Sequence, residues 1–296
     1  MANLRIENLS KTYSNGVKAL NNINLEIDKG MFGLLGPNGA GKSSLMRTLA
    51  TLQEVDSGTA FLGDIDILKQ PEELRKVLGY LPQEFGVYPR ITAEQLLDHI
   101  AVLKGIVQKK ERKELVGYLL NKVNLYDKRN KAVKSFSGGM KQRIGIAQAL
   151  IGNPQLIIVD EPTAGLDPGE RNRFHNLLAD VAEEVVIILS THIVDDVREL
   201  CSKMAIMNHG NIVYQGSPLT VIEELNGKVW QKMIQRQAID DYKANFNVIS
   251  DKMVAGKPLI HVLSDSHPGE GFETVKANLE DVFFTKIHSD ATIITE

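Results

Sequence analysis

Residues 36–43 read Gly36-Pro37-Asn38-Gly39-Ala40-Gly41-Lys42-Ser43, a complete GxxxxGK[ST] pattern. Three glycines let the backbone turn tightly enough to aim several N–H groups at one point, and a helix opening at Lys42 adds the positive end of its dipole. Such a cradle holds the phosphates of a nucleoside triphosphate. Lys42 would reach the β- and γ-phosphates, and the Ser43 hydroxyl would ligate a magnesium ion. An apolar run, Phe32 to Leu35, precedes the loop and a helix-like stretch, Ser43 to Leu52, follows it. That strand–loop–helix setting is the one the motif requires.

A second chemical group lies far along the chain. Residues 156–161 read Leu156-Ile157-Ile158-Val159-Asp160-Glu161. Four consecutive apolar residues fit a strand buried on both faces, as in a parallel sheet. Asp160 at its C-terminal tip is placed to hold a magnesium shell, because open α/β sheets bind ligands beyond the carboxyl ends of their strands. Glu161 stands one residue further, where an attacking water would be oriented.

Between these motifs, Ser137 and Gly138 open a helix reaching about Ile151, with Ser137 at the N-cap. A helix N-terminus with two glycines, Gly138 and Gly139, can bind an anion such as a γ-phosphate. It can serve the phosphate held by residues 36–43 of its own chain only if the fold brings the two together. The run Phe136-Ser137-Gly138-Gly139-Met140-Lys141-Gln142-Arg143 resembles the signature sequence of ATP-binding cassette ATPases, the motor subunits of membrane transporters.

Other markers of that family follow in order over about residues 1–216. Tyr13 matches the aromatic that stacks on adenine, and Gln83 the glutamine that links the magnesium site to the transport partner. Leu166-Asp167 matches the loop that crosses the dimer interface, and His192 the histidine that senses the γ-phosphate. The resemblance implies a P-loop NTPase (RecA-like) α/β core with an antiparallel β subdomain and an inserted helical subdomain at about 84–152. It implies ATP and Mg2+ as cofactors, with Ser43, Gln83 and Asp160 around the metal. Lys42, Gln83, Glu161 and His192 are then the catalytic set. Residues 36–44 with Tyr13 bind nucleotide, completed by Ser137, Gly138, Gly139 and Asp167. It further implies a head-to-tail homodimer, in which Ser137–Gly139 serve the other copy's nucleotide, and a separate integral-membrane permease as partner. The chain departs from the pattern at Phe136 and Met140, where Leu and Gln are usual, and at Ser44, where Thr is commoner. All three changes keep the phosphate-binding backbone or the hydroxyl.

These groups need elements to position them. Residues 4–35 alternate apolar and polar in short runs separated by Ser14-Asn15-Gly16 and Asp28-Lys29-Gly30, a pattern for antiparallel strands and turns. Gly58 to Gly63 reads as another strand. Residues 92–126 switch to helical spacing, with Lys109–Glu114 as a solvated face. Core parallel strands recur at 156–160, 185–189 and 203–207, with a helix over about 168–183.

The chain has 296 residues, 43% apolar and 24% charged, enough for one large domain and a small one. A net charge of −3 makes no general case for nucleic-acid binding. A single cysteine, Cys201, suits a reducing cytosol. No apolar run approaches the ~20 residues that span a bilayer. The resemblance to transporter motors implies a place on the cytoplasmic face of the membrane. A soluble ATPase of the same fold acting on ribosomes or DNA is the alternative reading. Residues 217–296 form a small α+β C-terminal domain, with strands near Phe246–Ile249 and Leu259–Leu263 and a frayed end from Ser289. Its segment Leu279-Glu280-Asp281-Val282-Phe283-Phe284 resembles the close of bacterial drug, antibiotic and polysaccharide exporter ATPases. Its role stays open between extending a dimer interface and regulation.

Overall fold

Continuous apolar runs and alternating ones sort into different sheets, because the first must be covered on both faces and the second on one. The computed structural model describes residues 3–83, 86, 90–163 and 165–293, with side chains to residue 288. β1 (Leu4–Thr12) and β2 (Lys18–Ile27) alternate buried and exposed positions and pair antiparallel, Leu4 opposite Ile27. β3 (Gly30–Leu35) is buried from Met31 onward and runs into the phosphate loop, which opens α1 (Lys42–Leu49). β4 (Ser57–Leu62) and β5 (Ile65–Asp66) complete the antiparallel sheet, in the order β2-β1-β4-β5. α2 (Pro71–Val77) and the short β6 (Leu78–Leu81) lead to the helical insertion of α3 (Ala93–Leu103), α4 (Lys109–Lys122) and α5 (Gly138–Ala149). Next come β7 (Leu156–Asp160), α6 (Pro168–Ala182), β8 (Val186–Thr191), α7 (Val194–Leu200), β9 (Lys203–Asn208) and β10 (Asn211–Gly216). The chain closes with α8 (Pro218–Glu224), β11 (Val229–Met233), α9 (Ile239–Asn245), β12 (Val248–Val254), β13 (Lys257–Leu263), β14 (Glu273–Thr274) and α10 (Leu279–Ile293).

Among the described residues the second sheet runs β10-β9-β3-β8-β7-β6, parallel except for the antiparallel edge strand β10. Here β3 corrects the expectation that residues 4–35 form one antiparallel set. Gly30, at φ +113°, turns the chain out of the first sheet, and β3 pairs parallel with both β8 and β9. Only glycine enters that region of backbone space readily. The sheet is covered on both sides. Phe32, Leu34, Ile158 and Ile188 point into one core. Met31, Leu35, Ile157, Val159, Ile187 and Leu189 point into the other, which continues into the helical insertion.

Register sets the site. Leu35 lies opposite Thr191, and Asp160 opposite Ser190. Three strands therefore end at one level, and the chain beyond each tip carries one of the expected chemical groups.

The charged run on α4 is exposed except at Arg112, which folds onto Asp98 of α3 at 2.8 Å. The C-terminal sheet has the order β12-β13-β11-β14. Trp230 sits in β11, and β12 begins two residues later than expected, at Val248. α10 extends through the stretch expected to fray, to Ile293. Its Leu279, Val282 and Phe283 pack in the same core as Val197 of α7, Met204 and Ile206 of β9, and Val221 of α8.

Candidate functional site

The loop 36–43 is closed by contacts that exclude side chains. A β-carbon on Gly36 would lie 2.4 Å from the Met207 carbonyl oxygen, and one on Gly41 2.2 Å from that of Ala19. Gly41 also takes φ +108° at the start of α1. Lys42 is the first residue of that helix and is only 5% exposed. Its Nζ donates to the carbonyls of Gly36 at 2.7 Å and Pro37 at 3.3 Å, and lies 3.6 Å from Glu161 Oε1. Burial lowers its pKa, against the opposing charges of Glu161 and Asp160.

Asp160 ends β7 and is 4% exposed. Its Oδ1 has no hydrogen-bond partner among the described residues. Burial raises its pKa, helped by the charge of Glu161 and opposed by the hydroxyls of Ser190 and Ser43 and by Lys42. A buried, unmatched carboxylate oxygen near the exposed Ser43 hydroxyl fits a divalent cation. Mg2+ is usually held by one or two carboxylates plus substrate phosphates, not by a full protein cage.

Glu161 adopts φ +49°, the left-handed region, where a residue with a side chain is strained. Its backbone N–H donates to the Ser190 carbonyl at 2.8 Å, which pins the turn to the end of β8. The carboxylate then meets His192 just past β8, with Oε2 2.7 Å from Nδ1. Glu161 is buried, whereas the His192 side chain is 49% exposed.

Tyr13 leaves β1 so that its hydroxyl meets Ser44 Oγ at 2.9 Å and donates to Gln53 Oε1 at 2.8 Å. Tyr13, residues 37–44, Gln83 and Glu161 line one cleft of about 270 Å³. Ser137, Gly138, Gly139 and Asp167 are absent from its lining. They lie at two neighbouring helix starts instead. Ser137 Oγ accepts from the Met140 N–H at 3.3 Å, capping α5, and Asp167 Oδ1 from the Glu170 N–H at 2.9 Å, capping α6. An Arg143–Glu170 ion pair at 3.2 Å joins these helices. Gly36, Asp160 and His192 are likewise absent from the cleft lining. Between Gln83 and Thr92, residues 84, 85 and 87–89 lie outside the described residues.

Sequence reasoning missed one cluster. Asp196 of α7 is fully buried and accepts from the Thr163 hydroxyl and from Arg171 Nε at 2.7 Å, with His175 Nε2 at 2.9 Å. Its only sequence signal was an Asp195-Asp196 pair at a helix start, which reads as ordinary dipole complementation.

The family described as ABC transporter matches residues 20–164. The uncharacterized ABC transporter ATP-binding protein YxlF of Bacillus subtilis is 30% identical over 97% of this chain and 100% of its own length. The linearmycin resistance ATP-binding protein LnrL of Bacillus subtilis is 34% identical, over 76% and 72%. A methionine import ATP-binding protein, MetN 1 of Bacillus thuringiensis, is 35% identical, over 81% and 73%. Among solved structures, the dimeric post-hydrolysis state of the cassette MJ0796 bound to ADP and Pi matches at a TM-score of 0.66. It shares 26% identity over 72% of this chain and 98% of that one.

Proposed function

We propose that this chain, which belongs to the ATP-binding cassette transporter ATPases, is the motor subunit of an exporter and works on a separate membrane permease. The carrying observation is the position of Glu161, strained at the tip of β7 between Lys42 at 3.6 Å and His192 at 2.7 Å. Residues 36–44 and Tyr13 bind ATP. Glu161 orients a water and takes its proton as the water attacks the γ-phosphorus; the bond to the β,γ-bridging oxygen breaks, and ADP and phosphate leave. Lys42 leaves its loop carbonyls for the β- and γ-oxygens, and His192 holds the Glu161 carboxylate toward the water. Ser43, Gln83 and Asp160 would hold Mg2+, which would neutralise phosphate charge.

Ser137–Gly139 and Asp167 complete the site of a second copy across a head-to-tail dimer. This reading is supported by their place at the starts of α5 and α6, joined by the Arg143–Glu170 ion pair, since two-fold pairing would bring such a surface against the phosphate loop of the other copy. We assign residues 1–216 as the cassette and 217–296 as an accessory domain. A groove of about 600 Å³, lined by Leu78, Tyr80, Gly86, Ile91, Ile100 and Leu103 among others, suits a permease helix. Among the described residues no helix is long and apolar enough to cross a membrane. The proposed place is the cytoplasmic face beside the permease. The closing Leu279–Phe284 segment favours export.

Glu161→Gln should bind Mg-ATP, sediment as a dimer with it, and lose nearly all turnover. Inside-out vesicles carrying the complex should accumulate cargo with ATP, and those carrying the variant should not. Near wild-type hydrolysis by Glu161→Gln would remove the base assignment, and accumulation only in right-side-out vesicles would reverse the direction.

A further inference from the structure

We infer that Asp196 is a positioning residue that sets the catalytic Glu161 against His192, working through Thr163. This rests on Glu161 being the base. The segment from Glu161 to Asp167 joins β7 to α6, and the segment holding His192 joins β8 to α7. Both must keep a fixed relation for Glu161 to stay at 2.7 Å from His192 in a strained backbone. One carboxylate ties them. Asp196 stands four residues beyond His192, on the first turn of α7, and is fully buried.

Its Oδ2 accepts the hydroxyl of Thr163, two residues beyond Glu161. Its Oδ1 accepts Arg171 Nε at 2.7 Å and faces His175 Nε2 at 2.9 Å, both on α6, the helix capped by Asp167. The same segment is held at its far end, where the Leu166 N–H donates to the Thr163 carbonyl at 3.1 Å. Burial opposes ionisation of Asp196, yet His175, Thr163 and Arg171 together hold its pKa below the ordinary value, so the cluster has a charged centre. No member of this cluster lines the nucleotide cleft, so loss of the tie should leave ATP binding intact. An asparagine can supply one acceptor oxygen but not two, and cannot satisfy all three donors.

The test is steady-state hydrolysis and fluorescent ATP-analogue binding by the full chain carrying Asp196→Asn, Thr163→Val or Thr163→Ser. Misplacing a reacting group by about 1 Å costs roughly a hundredfold in rate. Asp196→Asn and Thr163→Val should therefore lower kcat about ten- to a hundredfold, with KM for ATP and analogue binding changed less than about threefold. Thr163→Ser, which restores the hydroxyl, should recover most of the rate. Should Asp196→Asn fail to fold, the Thr163 pair carries the test. Wild-type kcat in Thr163→Val, equal losses in Val and Ser, or a rise in KM with kcat unchanged would each overturn the inference. Glu161→Gln serves as the separating control. If it keeps turning over, the base assignment fails; if it is inactive while Thr163→Val is normal, only the role of Asp196 fails.

Discussion

Asp160 is 4% exposed with one oxygen unmatched among the described residues, and burial raises its pKa above the ordinary 3.8. A carboxyl whose folded pKa is raised favours folding while protonated and loses that contribution as pH rises through the folded value. Without nucleotide, Asp160→Asn should match wild-type stability near pH 4. It should exceed it increasingly above that, by about 1–2 kcal/mol at pH 7, the scale of an unmatched buried polar group. Mg-ATP should reverse the order, because the unmatched oxygen is the proposed metal ligand. Chemical denaturation at both pH values, with and without Mg-ATP, checks this; a variant less stable than wild type at pH 7 without Mg-ATP would contradict it. The phosphate loop and the Asp160-Glu161 tip were legible from local order alone, since their chemistry is contiguous. Asp196 was not, because its partners lie 21 to 33 residues away in sequence.

Strand type was readable where the burial pattern was unambiguous. Residues 156–160 are apolar without alternation and lie between two parallel neighbours. β3 was misassigned because only a short turn separates it from β2, which by itself suggests a hairpin. β6 went unread as four residues following a helix, and β10 as a half-exposed edge. α10 illustrates an element held at its start by buried polar groups. Asp281 Oδ2 accepts from the Asn278 N–H at 3.0 Å, while Oδ1 lies 2.6 Å from His261 Nδ1 of β13. Both side chains are at most 5% exposed. Removing one partner of a buried hydrogen bond costs about 1–3 kcal/mol, since the survivor is left unpartnered. Asp281→Ala should lower unfolding free energy by about that amount, read from urea denaturation of the full chain. A loss below about 1 kcal/mol would show that α10 is held by apolar packing alone.

At the scale of the molecule, the C-terminal residues return to the core that also supports the site. Leu279, Val282 and Phe283 pack with Val197 on α7, the helix that follows His192. Burial of each such side chain contributes about 1.5–3 kcal/mol. Deleting residues 279–296 should therefore destabilise the cassette by roughly 5 kcal/mol. The truncated chain should melt well below the full chain, with Mg-ATP restoring part of the difference through linkage. Equal melting temperatures would mean that α10 is not integral to the cassette. Composition and motif order indicated a large unit and a small one. They could not indicate that the small one lends a helix to the large, because that packing joins residues far apart in sequence.

The amino-acid sequence by itself determined the class of chemistry. A phosphate loop, a strand ending in two carboxylates and a capped Ser-Gly-Gly helix are each written in consecutive residues. Local backbone preferences and burial patterns act over that same range. The tertiary structure decided the rest. Parallel register brought Lys42, Asp160, Glu161 and His192 together beyond the carboxyl ends of three neighbouring strands, while Ser137–Gly139 and Asp167 lie at the starts of α5 and α6. It also buried Asp196 beneath the loop that carries Glu161. Those relations depend on which strands lie side by side, and strand order follows from covering both faces of a sheet, which no short stretch of sequence contains.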